Sequence, residues 1–373
     1  MQKDYPSNDQ EFGGLYGYQG TFSEGGFLGD SNKFYVTSSE LLGQNRVYIT
    51  DVTTSQIKML TLPKLNAGVD RSKGTYTLLR KFKQTLFVKY CEVTNPGSIF
   101  ALTFKSVDVA SLDALFDAEA NLTLTEIERS VVKADPTFTH HFSTTHNNAT
   151  TEILRLQNGA EALFVQPGGL SPTKTHPLIT LIHGGPFSSA AWHMFSKTRS
   201  MLLMQGCCLL IMNYRGSIGY GEDTMNTLLG TVGENDVADC GDLTLLALEK
   251  YKDVIDPKRV GVQGGSHGGF LTGWLIGHPK YKDIWAASCL WNPVLNMAFM
   301  VTTTDIPDWI FACNQNRPLD FTSLTGDDLA LFYNHSPQSV VQNVKSPSLF
   351  LIGDADLRVP PQQAYYYVHS LKA

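Results

Sequence analysis

The sequence predicts an α/β protein: a mostly parallel, doubly wound sheet over its second part, preceded by an all-β segment read as part of a propeller. Three observations carry this. Beyond residue 150 the apolar runs are continuous rather than alternating, which is how strands buried on both faces read. Helix-like segments separate those runs, and a βαβα alternation yields a parallel sheet with helices packed on it. Between residues 30 and 105, by contrast, short stretches rich in Val, Ile, Thr, Tyr and Phe are punctuated by Gly, Asn, Asp and Ser, the pattern of antiparallel meanders.

In chain order, the β-rich part contains "NKFYVTSS", "NRVYITDV", "QIKMLTL", "GTYTLLRKF", "TLFVKYCEV" and "SIFALTFK". "FYV" at 34–36 and "LLRKF" at 78–82 open similar runs about 44 residues apart, a spacing that suits propeller blades. A β-sandwich would give much the same pattern. The polar stretch "ADPTFTHHFSTTHNNATTE" at 134–152 then reads as a linker or a first edge strand. Its His140, His141 and His146 lack a Cys or carboxylate at ligand spacing, so no metal site is expected. The expected division is a partial propeller over 1–135, a linker or edge over 136–150, and a catalytic α/β domain over 151–373.

In that last part the buried strands are "HPLITLIHGG", "GCCLLIMNYRG", "RVGVQGG", "AASCLWNP" and "PSLFLIGD". The helices between and after them are "SSAAWHMFSKTRSMLLMQ", "GENDVADCGDLTLLALEKYKDV", "GGFLTGWLIGHP" and "PPQQAYYYVHSLK". Parallel sheets place their chemistry at the carboxyl ends of the strands. There the sequence has His183-Gly184-Gly185, Asn213 to Gly216, Gly265-Ser266-His267, and Asp354 to Arg358.

Composition narrows the function classes. A chain of 373 residues exceeds one average domain, and 42% apolar with 17% charged residues is ordinary for a globular protein. A formal charge of −6 without a Lys/Arg cluster argues against a nucleic-acid partner. The amino terminus, "MQKDYPSNDQEF", reads as neither a signal peptide nor a transit sequence. The longest apolar run, "MLLMQGCCLLIM" at 201–212, is too short for a bilayer and reads as a helix end, a Gly206 stop and a strand, so no membrane partner is expected. Six cysteines without a CxxC point to free thiols in a reducing compartment. The sequons at Asn121 and Asn148 carry little weight without a secretory signal, and the cytoplasm is the default location.

The strongest motif is Gly264-Gly265-Ser266-His267-Gly268, a G-x-S-x-G between a strand and a helix. A turn this tight leaves no room for Cβ atoms, so glycines flank the serine and lift its Oγ toward the positive end of the next helix. No Lys follows the glycines, which argues against a phosphate loop. A nucleophilic serine needs donors for a developing oxyanion. The His267 N–H, next after the serine, is one. "HGGP" at 183–186, upstream after the first parallel strand, is the second source.

"HGGP", "NYRGSIGYG", "GGSHGGF", "NPVLNMAFMVTTTDIPDW" and "GDADLRVP" occur in the order and spacing of the prolyl oligopeptidase family, and the chain resembles its acylaminoacyl-peptidase branch, chiefly through "TDIPDW" at 304–309. The resemblance covers residues 150–373 and implies an α/β-hydrolase domain behind a β-propeller. It implies release of an N-acylated amino acid from short N-acylated peptides, without a cofactor or metal. By motif, Ser266 matches the nucleophile and Asp356 the triad acid, with Asp354 as the neighbouring competitor. His267 N–H and the Gly184 or Gly185 amide match the oxyanion donors. Arg358 matches a basic position beside the site. Phe299, Trp309 and Phe311 are candidates to wall an acyl-residue pocket, with core packing the competing reading. A dipeptidyl-peptidase, an oligopeptidase or an esterase of the same fold are alternatives, and homo-oligomerisation is left open.

The third triad member is expected outside this chain. In this fold the histidine follows the acid, and only His369 lies beyond Asp356. It would sit roughly 12 Å along a helix receding from the strand ends, off an apolar stripe of Ala364, Val368 and Leu371. The family's histidine follows one more strand, and residues 1–135 supply only two or three blades, so the chain reads as an internal portion of a longer enzyme or a shortened, inactive binding form.

Overall fold

A computed structural model describes residues 5–6, 14–15, 26–30, 32–60, 74–117, 121–129, 136–190 and 194–373. The chain forms two compact units, one made of residues 1–147, 191–201 and 218–222, the other of 148–190, 202–217 and 223–373.

In the first unit, β1 (Tyr5–Pro6) pairs with β2 (Gly14–Leu15). Two four-stranded antiparallel meanders follow, the unit from which propeller blades are built. The first comprises β3 (Gly26–Phe27), β4 (Phe34–Leu41), β5 (Gln44–Asp51) and β6 (Gln56–Met59). The second comprises β7 (Thr75–Phe82), β8 (Thr85–Glu92), β9 (Asn95–Phe104) and, after helix α1 (Leu112–Leu115), β10 (Leu122–Arg129). Strand alternation points Phe34, Val36, Val47, Ile49, Leu86, Val88, Phe100 and Leu102 into one shared core. All six strands expected from composition are present, whereas β10 was not expected. The 44-residue spacing matched β4 to β7, one strand out of step, since the structural counterpart of β4 is β8.

The expected linker is also different. Pro136–Asn147 is helix α2, with Pro136 in its first turn, where a missing N–H removes no helical bond. Tertiary contacts override the weak helical preference of its Thr, His and Asn residues. Buried His146 stacks on Phe142 at 3.9 Å between centroids. Its Nδ1–H donates to the Phe142 carbonyl at 2.9 Å, and its Nε2 accepts from Ser200 Oγ at 2.8 Å.

The second unit is built on a seven-stranded sheet. Its strands are β11 (Thr150–Arg155), β12 (Glu161–Gln166), β13 (His176–Ile182), β14 (Cys208–Asn213), β15 (Ile255–Gly265), β16 (Ala287–Trp291) and β17 (Ser348–Leu351). The order across the sheet is β11-β12-β14-β13-β15-β16-β17. Only the β11–β12 and β12–β14 pairs are antiparallel, so β12 alone runs against the rest and the continuous apolar runs are the parallel strands. The helices are α3 (Lys197–Met204), α4 (Glu222–Asn226), α5 (Asn235–Lys250), α6 (His267–Gly277), α7 (Met297–Met300), α8 (Pro307–Gln315), α9 (Gly326–Asn334) and α10 (Gln362–Lys372). Helix α3 belongs partly to each unit and begins later than the expected segment, while α8 and α9 were not expected. Helix α5 packs on β11, β12 and β14, and α6 on β13, β15 and β16. Because β13, β15, β16 and β17 are parallel, the segments after them emerge at one edge of the sheet.

Candidate active site

The sharpest feature of that edge is the turn between β15 and α6. Ser266 has φ 56° and ψ −121°, a conformation L residues avoid at an expense of order 1–3 kcal/mol. Neighbouring backbone holds it there. The Ser266 N–H donates to the Trp291 carbonyl of β16 at 2.9 Å, and the Ser266 carbonyl accepts from Phe270 N–H at 3.0 Å. Two glycines make the turn possible. A Cβ on Gly264 would lie 2.3 Å from the Gly268 carbonyl oxygen, and one on Gly268 would lie 2.3 Å from that of Ile182. The strand end, the helix start and the end of β13 thus meet backbone to backbone.

Helix α6 has no side-chain cap at Ser266, leaving the His267 N–H in its first turn with the dipole behind it. The "HGGP" backbone passes beside it: a Cβ on Gly184 would be 3.3 Å from Ser266 Cβ. Gly185 has φ +128°, a region only glycine enters freely. The His183 ring is structural. Its Nδ1–H donates to the Gly184 carbonyl at 2.7 Å, its Nε2 accepts from Ser217 Oγ at 2.8 Å, and it stacks on Tyr214. The His267 ring turns inward instead, 1% exposed, and its Nε2–H donates to Asp236 Oδ2 at 2.8 Å. Among the described residues no histidine is hydrogen-bonded to Ser266 Oγ, and His369 lies exposed on α10. The stripe α10 buries is Ala364, Tyr367 and Leu371, with Val368 at its margin.

Asp356 follows β17 and is fixed from both sides. Oδ1 accepts from the Arg358 and Val359 N–H groups, each at 2.9 Å, and Oδ2 accepts from the Asn292 amide. Asn292, itself at φ 37° after β16, is held in turn by accepting from Gly353 N–H at 3.0 Å. Asp354 is exposed and accepts from the Tyr365 hydroxyl at 2.5 Å. Arg358 grips Asp305 through Nε and a terminal nitrogen at 2.6 and 3.1 Å, and this pairing holds the Asp305 carboxyl below its usual range.

Beside Ser266 lies a cavity of about 210 Å³ walled by Gly185, His267, Val294, Met300, Ile306, Trp309, Arg358 and Val359. Trp309 and Arg358 line it, and Phe299 and Phe311 do not. Phe299 is 40% exposed on α7, and Phe311 is fully buried against Phe321 and Phe332 in the main core. Helix α8 puts Trp309 and Phe311 about 200° apart, so only one of them can face the cavity. Val294, Met300 and Ile306 were missed. Their position after β16 was the available signal. Asp236 and Asn292 carried none, because an Asp in a helix's first turn and an Asn before Pro are commonplace.

Among the described residues no group of three or more His, Cys, Asp or Glu side chains is arranged to hold a metal, and no helix is long and apolar enough to cross a membrane.

Relatives share part of this sequence, and solved structures share this fold. The chain is 44% identical over 220 residues to the acylamino-acid-releasing enzyme of Arabidopsis thaliana, covering 58% of this chain and 28% of that protein. It is 39% identical over 219 residues to the acylamino-acid-releasing enzyme of Mus musculus, covering 57% and 28%. The match therefore spans less than a third of those relatives' length. The Pyrococcus horikoshii acylaminoacyl peptidase superposes on 95% of this chain and 49% of its own at a TM-score of 0.70 and 17% identity. A Mycobacterium tuberculosis puromycin-hydrolyzing peptidase does so on 96% and 51%, at 0.70 and 19%. At such identities the likeness is one of fold. The family model described as the prolyl oligopeptidase family matches residues 192–373. Over that segment, just under half of the chain, the sequence matches the prolyl oligopeptidase family of serine peptidases.

Proposed function

We propose that this chain carries the acyl-transfer half of an acylaminoacyl-peptidase, which cleaves the first peptide bond of a short N-acylated peptide. Ser266 Oγ attacks the carbonyl carbon while a histidine takes its proton. The oxyanion is held by the His267 N–H and the Gly184 or Gly185 amide. The C–N bond then breaks, the amine leaves with the proton from the histidine, and water resolves the acyl-enzyme to an N-acylamino acid. Asp356, pinned by two backbone amides and Asn292, is the carboxylate that orients the histidine. That base is assigned to sequence outside residues 1–373.

One observation carries the reading: Ser266 sits at φ 56° between a central parallel strand and an uncapped helix, with the "HGGP" backbone alongside. The cavity supports the substrate class. At about 210 Å³ it is smaller than the roughly 300–1,000 Å³ of drug-sized sites, which suits one short residue with a small acyl cap. Its lining contains Ser266, His267 and Arg358 among apolar side chains, and the Arg358 guanidinium is already paired, so the lining offers no carboxylate for a free amino terminus. The curated relatives named above support the same choice.

The test is turnover by the full-length enzyme of acetyl-alanyl, free-amino dipeptidyl and simple ester chromogens. Preference for the acetylated amide is expected. Faster turnover of the free-amino dipeptide would overturn the substrate assignment.

A further inference from the structure

The His267 side chain makes no contact that the proposed chemistry needs, yet its surroundings are unusually specified. The ring is 1% exposed and the Asp236 carboxylate is fully buried. Asp236 Oδ1 accepts from Gly233 N–H at 2.8 Å and Val237 N–H at 3.0 Å, which places it at the amino end of α5. Its other oxygen accepts the 2.8 Å bond from His267 Nε2–H. The imidazole lies against Phe270 at 5.0 Å and meets Trp309 edge-on at 5.9 Å. The setting is apolar enough that burial, with the Asp236 charge adding to it, holds the nearby Cys313 thiol well above its usual value. Among the described residues His267 Nδ1 has no hydrogen-bond partner although the atom is buried. One end of the ring is therefore tied to a rigid helix terminus, and the other is left unpaid for.

A buried polar atom without a partner is costly, and evenly apolar side chains would fill this space without that penalty. The arrangement makes sense through what the ring is attached to. The backbone N–H of His267 is the oxyanion donor, and the preceding residue is held off its preferred backbone conformation. Oxyanion donors act only where they are fixed before the charge appears. Tying the side chain to α5 adds to the bond from Phe270 N–H to the Ser266 carbonyl in keeping this peptide unit from relaxing away from Ser266.

We propose that Asp236 and the His267 imidazole form a positioning pair that fixes the His267 N–H as oxyanion donor. The inference rests on Ser266 being the nucleophile. The pair touches no reacting atom and acts on the transition state rather than on substrate affinity.

The experiment compares His267→Met, His267→Gln and the double variant His267→Met/Asp236→Asn in the full-length enzyme, with active sites titrated by a fluorophosphonate. Loss of one oxyanion donor lowers kcat about 10²–10³-fold, and its misplacement should lower kcat per titrated site about 10–100-fold. KM should stay within about threefold, because the ground state does not use the donor. His267→Gln, which can still donate to Asp236, should recover at least about tenfold over His267→Met. If His267→Met fails to fold, the double variant, which strands no carboxylate, carries the same expectation. A merely structural pair would lower the titratable fraction and leave kcat per site unchanged, and that result overturns the proposal. Absence of Ser266-dependent turnover in the parent enzyme would instead overturn the hydrolase reading.

Discussion

Asp356→Asn is the perturbation whose consequences the structure specifies most fully. The substitution keeps size and shape, so only charge and hydrogen-bond polarity change. Oδ1 can go on accepting from the Arg358 and Val359 amides, but an amide nitrogen then faces the Asn292 amide, donor to donor. Asn292 cannot simply flip, because its own oxygen accepts from Gly353 N–H. One charge-assisted bond is lost, worth about 1.5–3 kcal/mol. At roughly 2–4 °C per kcal/mol for a domain of this size, the melting temperature should fall by about 3–12 °C and the protein should stay folded. The catalytic effect should be much larger. Loss of the orienting carboxylate lowers kcat about 10⁴-fold in the general triad template, about 5.4 kcal/mol at 1.36 kcal/mol per tenfold. Asp354→Asn, at an exposed residue that accepts from the Tyr365 hydroxyl, should change stability by no more than about 0.5 kcal/mol and leave kcat within a few-fold. The assay is acetyl-alanyl p-nitroanilide turnover by the full-length enzyme, paired with thermal unfolding. If Asp354→Asn were the more damaging change, or if Asp356→Asn kept a tenth of the activity, the assignment of the acid would be wrong.

Fluorophosphonate labelling of the full-length enzyme should be confined to Ser266 and vanish in Ser266→Ala; mass spectrometry of the labelled peptide identifies any competitor. Gly268→Ala should destabilise by about 3 kcal/mol or more, the upper end for overpacking, because its Cβ would meet the Ile182 carbonyl oxygen at 2.3 Å and backbone cannot step aside; denaturant unfolding measures it. Burial holds His146 below its ordinary value, so the unfolded chain binds the extra proton first and stability is lost as pH falls through about 6.5. Wild type should accordingly lose more melting temperature than His146→Gln between about pH 7.5 and 5. Residues 1–373 alone should bind acetylated peptides without appreciable turnover, since an unassisted serine hydroxyl is a poor nucleophile; Ser266-dependent hydrolysis at the full-length rate would place the base within them.

Much of this was legible because it is local. Strand and helix identity follows from side-chain periodicity within ten residues, and the glycines around Ser266 announce a backbone crossing that no other residue permits. The sites of Ser266, the "HGGP" segment and Asp356 could be assigned to strand ends for the same reason. What the sequence by itself determined, then, was the order of the parallel strands, the strained serine and the edge of the sheet where chemistry gathers. Only the tertiary structure decided the rest. It separated Trp309 from Phe311, which the same apolar helix turns in different directions. It made α2 a helix through contacts to Ser200, 54 residues away from His146. It bonded Asp356 to Asn292 across 64 residues and His267 to Asp236 across 31. Such pairings depend on which strands become neighbours in space, and a side chain's own sequence context carries no record of the partner that will satisfy it.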